Sequence, residues 1–302
     1  MVKVLNISSN DWANYSYTNA KSLRTVGVHC EGVKLYPHSF GYAEQHPVVS
    51  YQSMIDKIHS GYDIIQVFNS DVRMVHALRG YKGRIVVYHT GTSYRRSSNE
   101  INQLFNPIVW KTIMVHGEFM GSGAKNETYL DRCVDVDALK PTYWMHQPYR
   151  FLHCPSNPKV KGTETIKRLF EVADISIKCD TNILKHEQSI ARMHNCDIYV
   201  ELFNPTLDGK KYGHFGITAI EAAAMGKVVV TQNLSNDVYE KHYGSCPLIL
   251  VKDETDFVKK IKWLNAMSAI ELSELQQAHR KWAVEKHSYK SNGERIKKIL
   301  EI

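Results

Sequence analysis

The stretch Y-G-H-F-G-I-T-A-I-E-A-A-A-M-G-K-V-V-V-T, from Tyr212 to Thr231, says most about the fold and the chemistry of this chain. Two glycines and a His-Phe pair open a run in which Ile217, Ile220, Ala224 and Met225 recur at helical spacing. Gly226 then stops the run before a buried-strand segment, Val228 to Val230. The order is glycine loop, short helix, strand. Free backbone N–H groups at the positive end of a helix favour an anion, and Gly213 and Gly216 let a ligand approach the backbone closely. Phosphate is the natural guest. Glu221 lies one turn past Ile217, and helical side chains lean toward the N-terminus, so its carboxylate points back at the loop, where it suits a sugar diol. The plainer reading gives the glycines to capping and close packing and the glutamate to a solvated face. This stretch alone leaves the two readings level.

Working outward, 302 residues are long for one core and suit two domains of about 150 each. Hydrophobic residues make up 43% and charged residues 23%, the composition of an ordinary packed globular protein rather than a disordered one. No apolar run approaches the ~20 residues that span a bilayer, and the start, M-V-K-V-L-N-I-S-S-N, reads as a first strand and not a signal peptide. The expectation is a cytoplasmic protein without a transmembrane segment. Six scattered cysteines with no C-x-x-C pair fit reduced thiols better than a disulfide framework or zinc site. The net charge of +7 favours anionic partners, leaving open peripheral membrane or nucleic-acid contact through the basic surface. No dense Lys/Arg block tracks a nucleic-acid backbone, however, and Arg95 with Arg96 is the only adjacent arginine pair.

Strands and helices alternate along the chain. Lys3 to Ile7, Val28 to Leu35, Asp63 to Phe68 and Arg84 to Tyr88 read as strands, the last two without polar alternation, as central parallel strands do. Asp11 to Val26 and Tyr51 to His59 read as helices. Pro141 and Pro148 bracket an aromatic link, after which Arg150 to His153, Ile175 to Lys178, Asp197 to Leu202, Val228 to Thr231 and Leu248 to Val251 form a second strand series. The class is α/β, with two doubly wound domains, 1–145 and 146–302. Glu271 to Ile302 is a pair of Lys- and Glu-rich helices anchored by Trp282 and Tyr289.

Several segments together resemble the family-4 glycosyltransferases, retaining enzymes of the GT-B fold whose two Rossmann-like domains face across a cleft. V-D-V-D-A-L-K-P (Val134 to Pro141) looks like the end of the family's first domain, and H-C-P-S-N-P-K-V-K-G-T (His153 to Thr163) like the first strand and loop of its second. C-D-I-Y-V-E-L (Cys196 to Leu202) and the Tyr212–Val230 stretch resemble its donor-binding core. Their order and spacing match jointly over nearly the whole chain.

The resemblance implies a nucleotide-sugar glycosyltransferase, with no cofactor and no metal, whose donor is first of all a UDP-sugar. Lys161 takes the position of the diphosphate-binding lysine, where a fixed cation stabilises charge on the departing group. Ser156, Asn157, Lys159 and Gly162 surround it. Lys159 stands near the place of the family's arginine, which Pro158 here replaces, and an ammonium lacks the bidentate fork. Glu221 matches the ribose-binding glutamate. The family's first acidic residue, eight positions earlier, is absent: Gly213 stands there, which puts the donor sugar and full activity in question. His214, Phe215, Gly216, Ile217 and Thr218 complete the implied donor set. His89 resembles the first-domain histidine that contacts the transferred sugar, so Lys161 and His89 are the candidate catalytic residues. Asn10, Asp11, Arg95 and Arg96 are candidates for the acceptor side. The last helix of relatives braces the first domain. The acceptor, whether saccharide, lipid-linked or macromolecular, is unreadable. Two other functions stay open: a nucleotide-sugar-binding protein that no longer transfers, and a glycosyltransferase acting on modified nucleic-acid bases. Asp135 and Asp137 form a D-x-D, a metal pattern of a different glycosyltransferase fold, and are set aside.

Overall fold

The protein, seen as a computed structural model, is described over residues 2–143 and 147–302. It divides into two compact units, one made of Met1–Cys133 with Ser288–Ile302 and the other of Val134–His287. The domain boundary expected between 145 and 146 lies outside the described residues.

The first unit runs β1 (Lys3–Ser8), α1 (Tyr15–Thr25), β2 (His29–Lys34), α2 (Tyr51–Ile58), β3 (Ile64–Val67), α3 (Met74–Ala77), β4 (Arg84–His89), α4 (Gly91–Phe105), β5 (Lys111–Met114) and β6 (Glu127–Tyr129). The strands form one parallel sheet in the order β2-β1-β3-β4-β5-β6. Successive residues of the central strands feed opposite faces. Leu5, Ile65, Val67, Ile85 and Val87 enter a core with Met54, Met74 and Phe105. Val4, Ile64, Val86 and Tyr88 enter another with Leu23 and Ile296. Burial on both faces explains strands without polar alternation. Strands β5 and β6 were not expected from the sequence: β5 is four residues long, and β6, at the sheet edge, carries the half-buried Glu127 and Thr128. The first helix starts at Tyr15 rather than Asp11. The buried Asp11 carboxylate instead accepts the N–H groups of Ser16 at 2.7 Å and Tyr17 at 3.0 Å, a capping role.

The second unit runs β7 (Phe151–His153), α5 (Pro158–Lys161), α6 (Thr163–Ala173), β8 (Ile177–Cys179), α7 (His186–His194), β9 (Ile198–Val200), the hairpin β10 (Thr206–Leu207) and β11 (Lys210–Lys211), α8 (Ile217–Ala224), β12 (Val228–Thr231), α9 (Asn236–Tyr243), β13 (Ile249–Leu250), α10 (Glu254–Ala266) and α11 (Ala269–His287). Its five-stranded parallel sheet has the order β13-β12-β9-β7-β8. The chain then returns to the first unit as α12 (Tyr289–Leu300), which packs on α1. Gly293 makes that contact close, since a Cβ there would lie 2.3 Å from the Ser22 carbonyl oxygen.

The segment after Cys133 belongs to the second unit for a visible reason. The Arg280 guanidinium donates to the carbonyls of Val136 and Leu139, each at 2.8 Å, and Lys227 Nζ donates to the Thr142 carbonyl at 3.0 Å. Although no sequence repeat links the units, their sheets share one winding. The strand order reverses between β1 and β3 in the first and between β7 and β9 in the second, and the carboxyl ends at such a reversal are where open α/β sheets bind ligands.

Candidate active site

In the second unit, the two loops at the reversal carry most of the residues singled out for the donor side. Past β7, Asn157 caps α5 by accepting the Val160 N–H at 3.2 Å, and Pro158 opens the turn. Gly162 ends it with φ +74, where a Cβ would strike the Phe203 carbonyl oxygen at 2.0 Å. Only glycine fits there. The Phe203 N–H donates to the Lys161 carbonyl at 3.2 Å, and Asn204 Nδ2 to that of Lys159 at 3.1 Å, so the loop after β9 holds the turn that presents Lys161. Ser156, Asn157 and Lys159 are exposed beside it.

The Lys161 ammonium reaches the mouth of α8, where a Cβ on Gly216 would sit 3.1 Å from its nitrogen. Between them lies a residue the sequence reading passed over. Glu201, at the end of β9, pairs with Lys161 through Oε1 and has no exposed side-chain surface. Its Oε1 also accepts the Gly216 N–H at 3.3 Å and Thr218 Oγ1 at 3.1 Å, and its Oε2 accepts Thr231 Oγ1 at 3.3 Å. The signal was available: a carboxylate inside the apolar strand D-I-Y-V-E-L must be buried and therefore paired. Beyond Glu201, the start of α8 leaves the N–H groups of Ile217 and Thr218 without an i−4 partner inside the helix, whereas that of Ala219 turns back to the Gly216 carbonyl at 3.1 Å.

Glu221, on the second turn of α8, is buried and accepts from His186 Nε2 at 2.6 Å. Burial pulls the His186 imidazole down, but the hydrogen bond and charge of Glu221 outweigh it, so His186 titrates above its ordinary value. His186 was also missed. Gly213, in place of the first acidic residue, has φ +151 and packs on Gln232, whose Cγ and Cδ would lie 2.9 Å from a Cβ. A glutamate at 213 does not fit this backbone. His214 and Phe215 are buried and stacked, ring centroids 4.7 Å apart. Behind the site, burial pushes His153 down to about 4, and the neutral ring donates from Nδ1 to the Val200 carbonyl at 2.8 Å and accepts at Nε2 from Thr163 Oγ1 at 2.9 Å.

In the first unit the candidates scatter. His89 is fully buried at the end of β4, stacked on Tyr94 with centroids 4.0 Å apart and bonded through Nδ1 to Ser70 Oγ at 3.0 Å. Burial pushes it down to about 3, so the ring is neutral. Asn10 and Arg96 line a cavity of about 540 Å³ with Asn69, Asp71 and the exposed Trp12. A smaller cavity of about 310 Å³ reaches Thr90 and Gly91 at the start of α4 and is flanked by Arg132. Asp11 is turned into α1, and Arg95 pairs with Glu118 over the Phe119 ring. In the second unit, Asp135 of the D-x-D accepts the Ala138 N–H at 2.9 Å, which is turn chemistry.

With this geometry in hand, the chain aligns over 100% of its length with all of Anabaena HepE in complex with UDP-glucose, at a TM-score of 0.71 and 11% identity. The fold is GT-B. It also aligns with AviGT4, a glycosyltransferase involved in avilamycin A biosynthesis, over 99% of this chain and 96% of that one, at a TM-score of 0.64 and 11% identity. The N-terminal domain of Candida albicans trehalose-6-phosphate phosphatase aligns over 100% and 97%, at 0.66 and 10%. No protein-family model and no curated protein matches the sequence. A GT-B scaffold hosts more than one chemistry, so function has to be argued from the site. Among the described residues no helix is long and apolar enough to cross a membrane.

Proposed function

We propose that the protein is a nucleotide-sugar glycosyltransferase of the family-4 kind, holding its donor's diphosphate between Lys161 and the mouth of α8. One observation carries this reading: that mouth already holds an anion. The Glu201 carboxylate lies between Lys161 Nζ and the Gly216 N–H, so the spot is chemically an oxyanion site. A cation and helix amides there take up the charge that grows on a departing diphosphate, which lowers the barrier rather than merely binding substrate. Glu221 exchanges its bond from His186 for two from a ribose diol. A UDP-sugar is the first choice of donor, supported by the UDP and UDP-glucose complexes of HepE. The acceptor hydroxyl belongs to a saccharide, lipid-linked or macromolecular, seated by the first-unit cavity that Asn10 and Arg96 line. Transfer with retention, without a metal and in the cytoplasm, completes the proposal. Six free thiols accord with a reducing compartment.

A second reading, a protein that binds the donor without transferring its sugar, is favoured by the same Glu201, which neutralises the cation that chemistry needs, and by the sealed ring of His89. Incubation with UDP-, GDP- and ADP-sugars separates the two. An enzyme slowly releases nucleoside diphosphate, whereas a binder shows only thermal stabilisation. Lys161→Ala and Glu221→Ala are each expected to weaken donor binding by about tenfold or more, the loss of one charged contact. Unchanged affinity in both sinks the donor assignment.

A further inference from the structure

What fills the mouth of α8 also says which ligands it prefers, given the donor reading above. Glu201 takes its bonds from Lys161 Nζ, Gly216 N–H, Thr218 Oγ1 and Thr231 Oγ1. The first three belong to the set that would grip a diphosphate, and a phosphate oxygen and a carboxylate oxygen make the same demand on such donors. The Gly216 N–H and the Thr218 hydroxyl have one hydrogen each, so both cannot have them at once, and the three hydrogens of the Lys161 ammonium have to be shared.

We propose that Glu201 is a specificity-determining residue: an internal carboxylate that competes with an incoming diphosphate for Lys161 and the Gly216 amide, and so weights the site against the more highly charged ligand. Its position supports this. The side chain has no exposed surface, so its charge is weakly screened and acts at short range on whatever enters. A UDP-sugar carries two negative charges on its diphosphate, whereas free UDP carries nearly three, since a terminal phosphate has a second pKa of about 6. The built-in charge therefore repels the spent nucleotide more than the donor and eases its release. The ordinary alternative makes Glu201 only a tether that holds Lys161 in place. The two roles differ in sign: losing a tether weakens anion binding, and losing a competitor strengthens it.

The test is calorimetric titration of inorganic pyrophosphate, UDP and UDP-glucose into the wild type, Glu201→Gln, Glu201→Asp and the double variant Lys161→Ala/Glu201→Gln, with a melting curve for each. Glu201→Gln should bind pyrophosphate and UDP about tenfold more tightly and UDP-glucose only about threefold. Glu201→Asp, whose carboxylate withdraws by one methylene, should fall between it and the wild type, and it decides the matter if the glutamine variant does not fold. The double variant should lose the gain. Pyrophosphate binding that is equal or weaker in both Glu201 variants, or absent throughout, overturns the inference. If pyrophosphate tightens while no UDP, GDP or ADP compound binds, the donor reading fails and the role of Glu201 stands.

Discussion

The two units present the same feature in opposite states. Each has a helix whose start lies at the end of a parallel strand: α4 follows β4 directly in the first unit, and α8, reached through the β10–β11 hairpin, starts against the end of β9 in the second. At α8 the mouth is packed: Glu201 accepts from the Gly216 amide and pairs with Lys161, and Gly162 is wedged against Phe203. At α4 the mouth is open. Thr90 provides no side-chain cap, a Cβ on Gly91 would meet nothing within 4 Å, and a cavity of about 310 Å³ lies alongside. The nearest cation, Arg132, donates to Thr90 Oγ1 at 3.1 Å and approaches His116 Nε2 at 2.8 Å. One winding of the sheet thus yields a helix mouth filled by a buried carboxylate and one beside an open hollow. The difference comes from side chains at the strand ends, not from the fold.

The sharpest way to break this contrast is Gly162→Ala. A side chain at φ +74 facing a carbonyl at 2.0 Å should cost ~3 kcal/mol or more, read as a lowered melting midpoint, together with loss of nucleotide binding. The matched change in the open mouth, Gly91→Ala, meets no atom and should cost only ~1 kcal/mol, the price of the left-handed backbone. Equal losses would erase the distinction. Between these, Lys161→Met should destabilise the second unit by ~2–3 kcal/mol in denaturant melts, because a buried carboxylate loses its cation while keeping its hydroxyl and amide donors. The smallest effect is pH-dependent. Glu221 holds His186 above its ordinary value, so this pair stabilises the fold fully below about pH 6.5 and the contribution disappears as pH rises through the raised folded value. The His186 side chain is 27% exposed, which limits the effect to ~1 kcal/mol or less. Melting curves at pH 6 and pH 9 should differ less for Glu221→Gln than for the wild type once the global trend is subtracted.

Much of the scaffold was legible because its strands are apolar on both faces. D-I-I-Q-V-F and R-I-V-V-Y announce central parallel strands, and the Tyr212–Thr231 reading of loop, helix and strand matches the observed α8 and β12 to within a residue or two. The short polar pieces were not legible. E-T-Y of β6 joins the sheet only because β5 offers it an edge, and the β10–β11 hairpin turns on Asp208 and Gly209, a turn signal just ahead of the Tyr212–Thr231 stretch that drew no reading of its own. At the site, Lys161 and the Gly216 mouth do come together, but the partners that set their chemistry, Glu201 and His186, arrive from 40 residues beyond the lysine and 35 residues before Glu221. Spacing along the chain carries no trace of such pairings. A carboxylate in an apolar strand was the one local hint.

The route of the chain also orders events at the ribosome. The second unit is a single uninterrupted length, 134–287, whereas the first waits for 288–302 to supply the helix that seats Gly293 against the Ser22 carbonyl and Asn292 against the Ser22 hydroxyl. A face holding Leu23 and Val86 therefore lacks its Ile296 cover while everything after Cys133 is being made. For this protein the portion translated first is the portion finished last, and that interval is when a chaperone has most to shield.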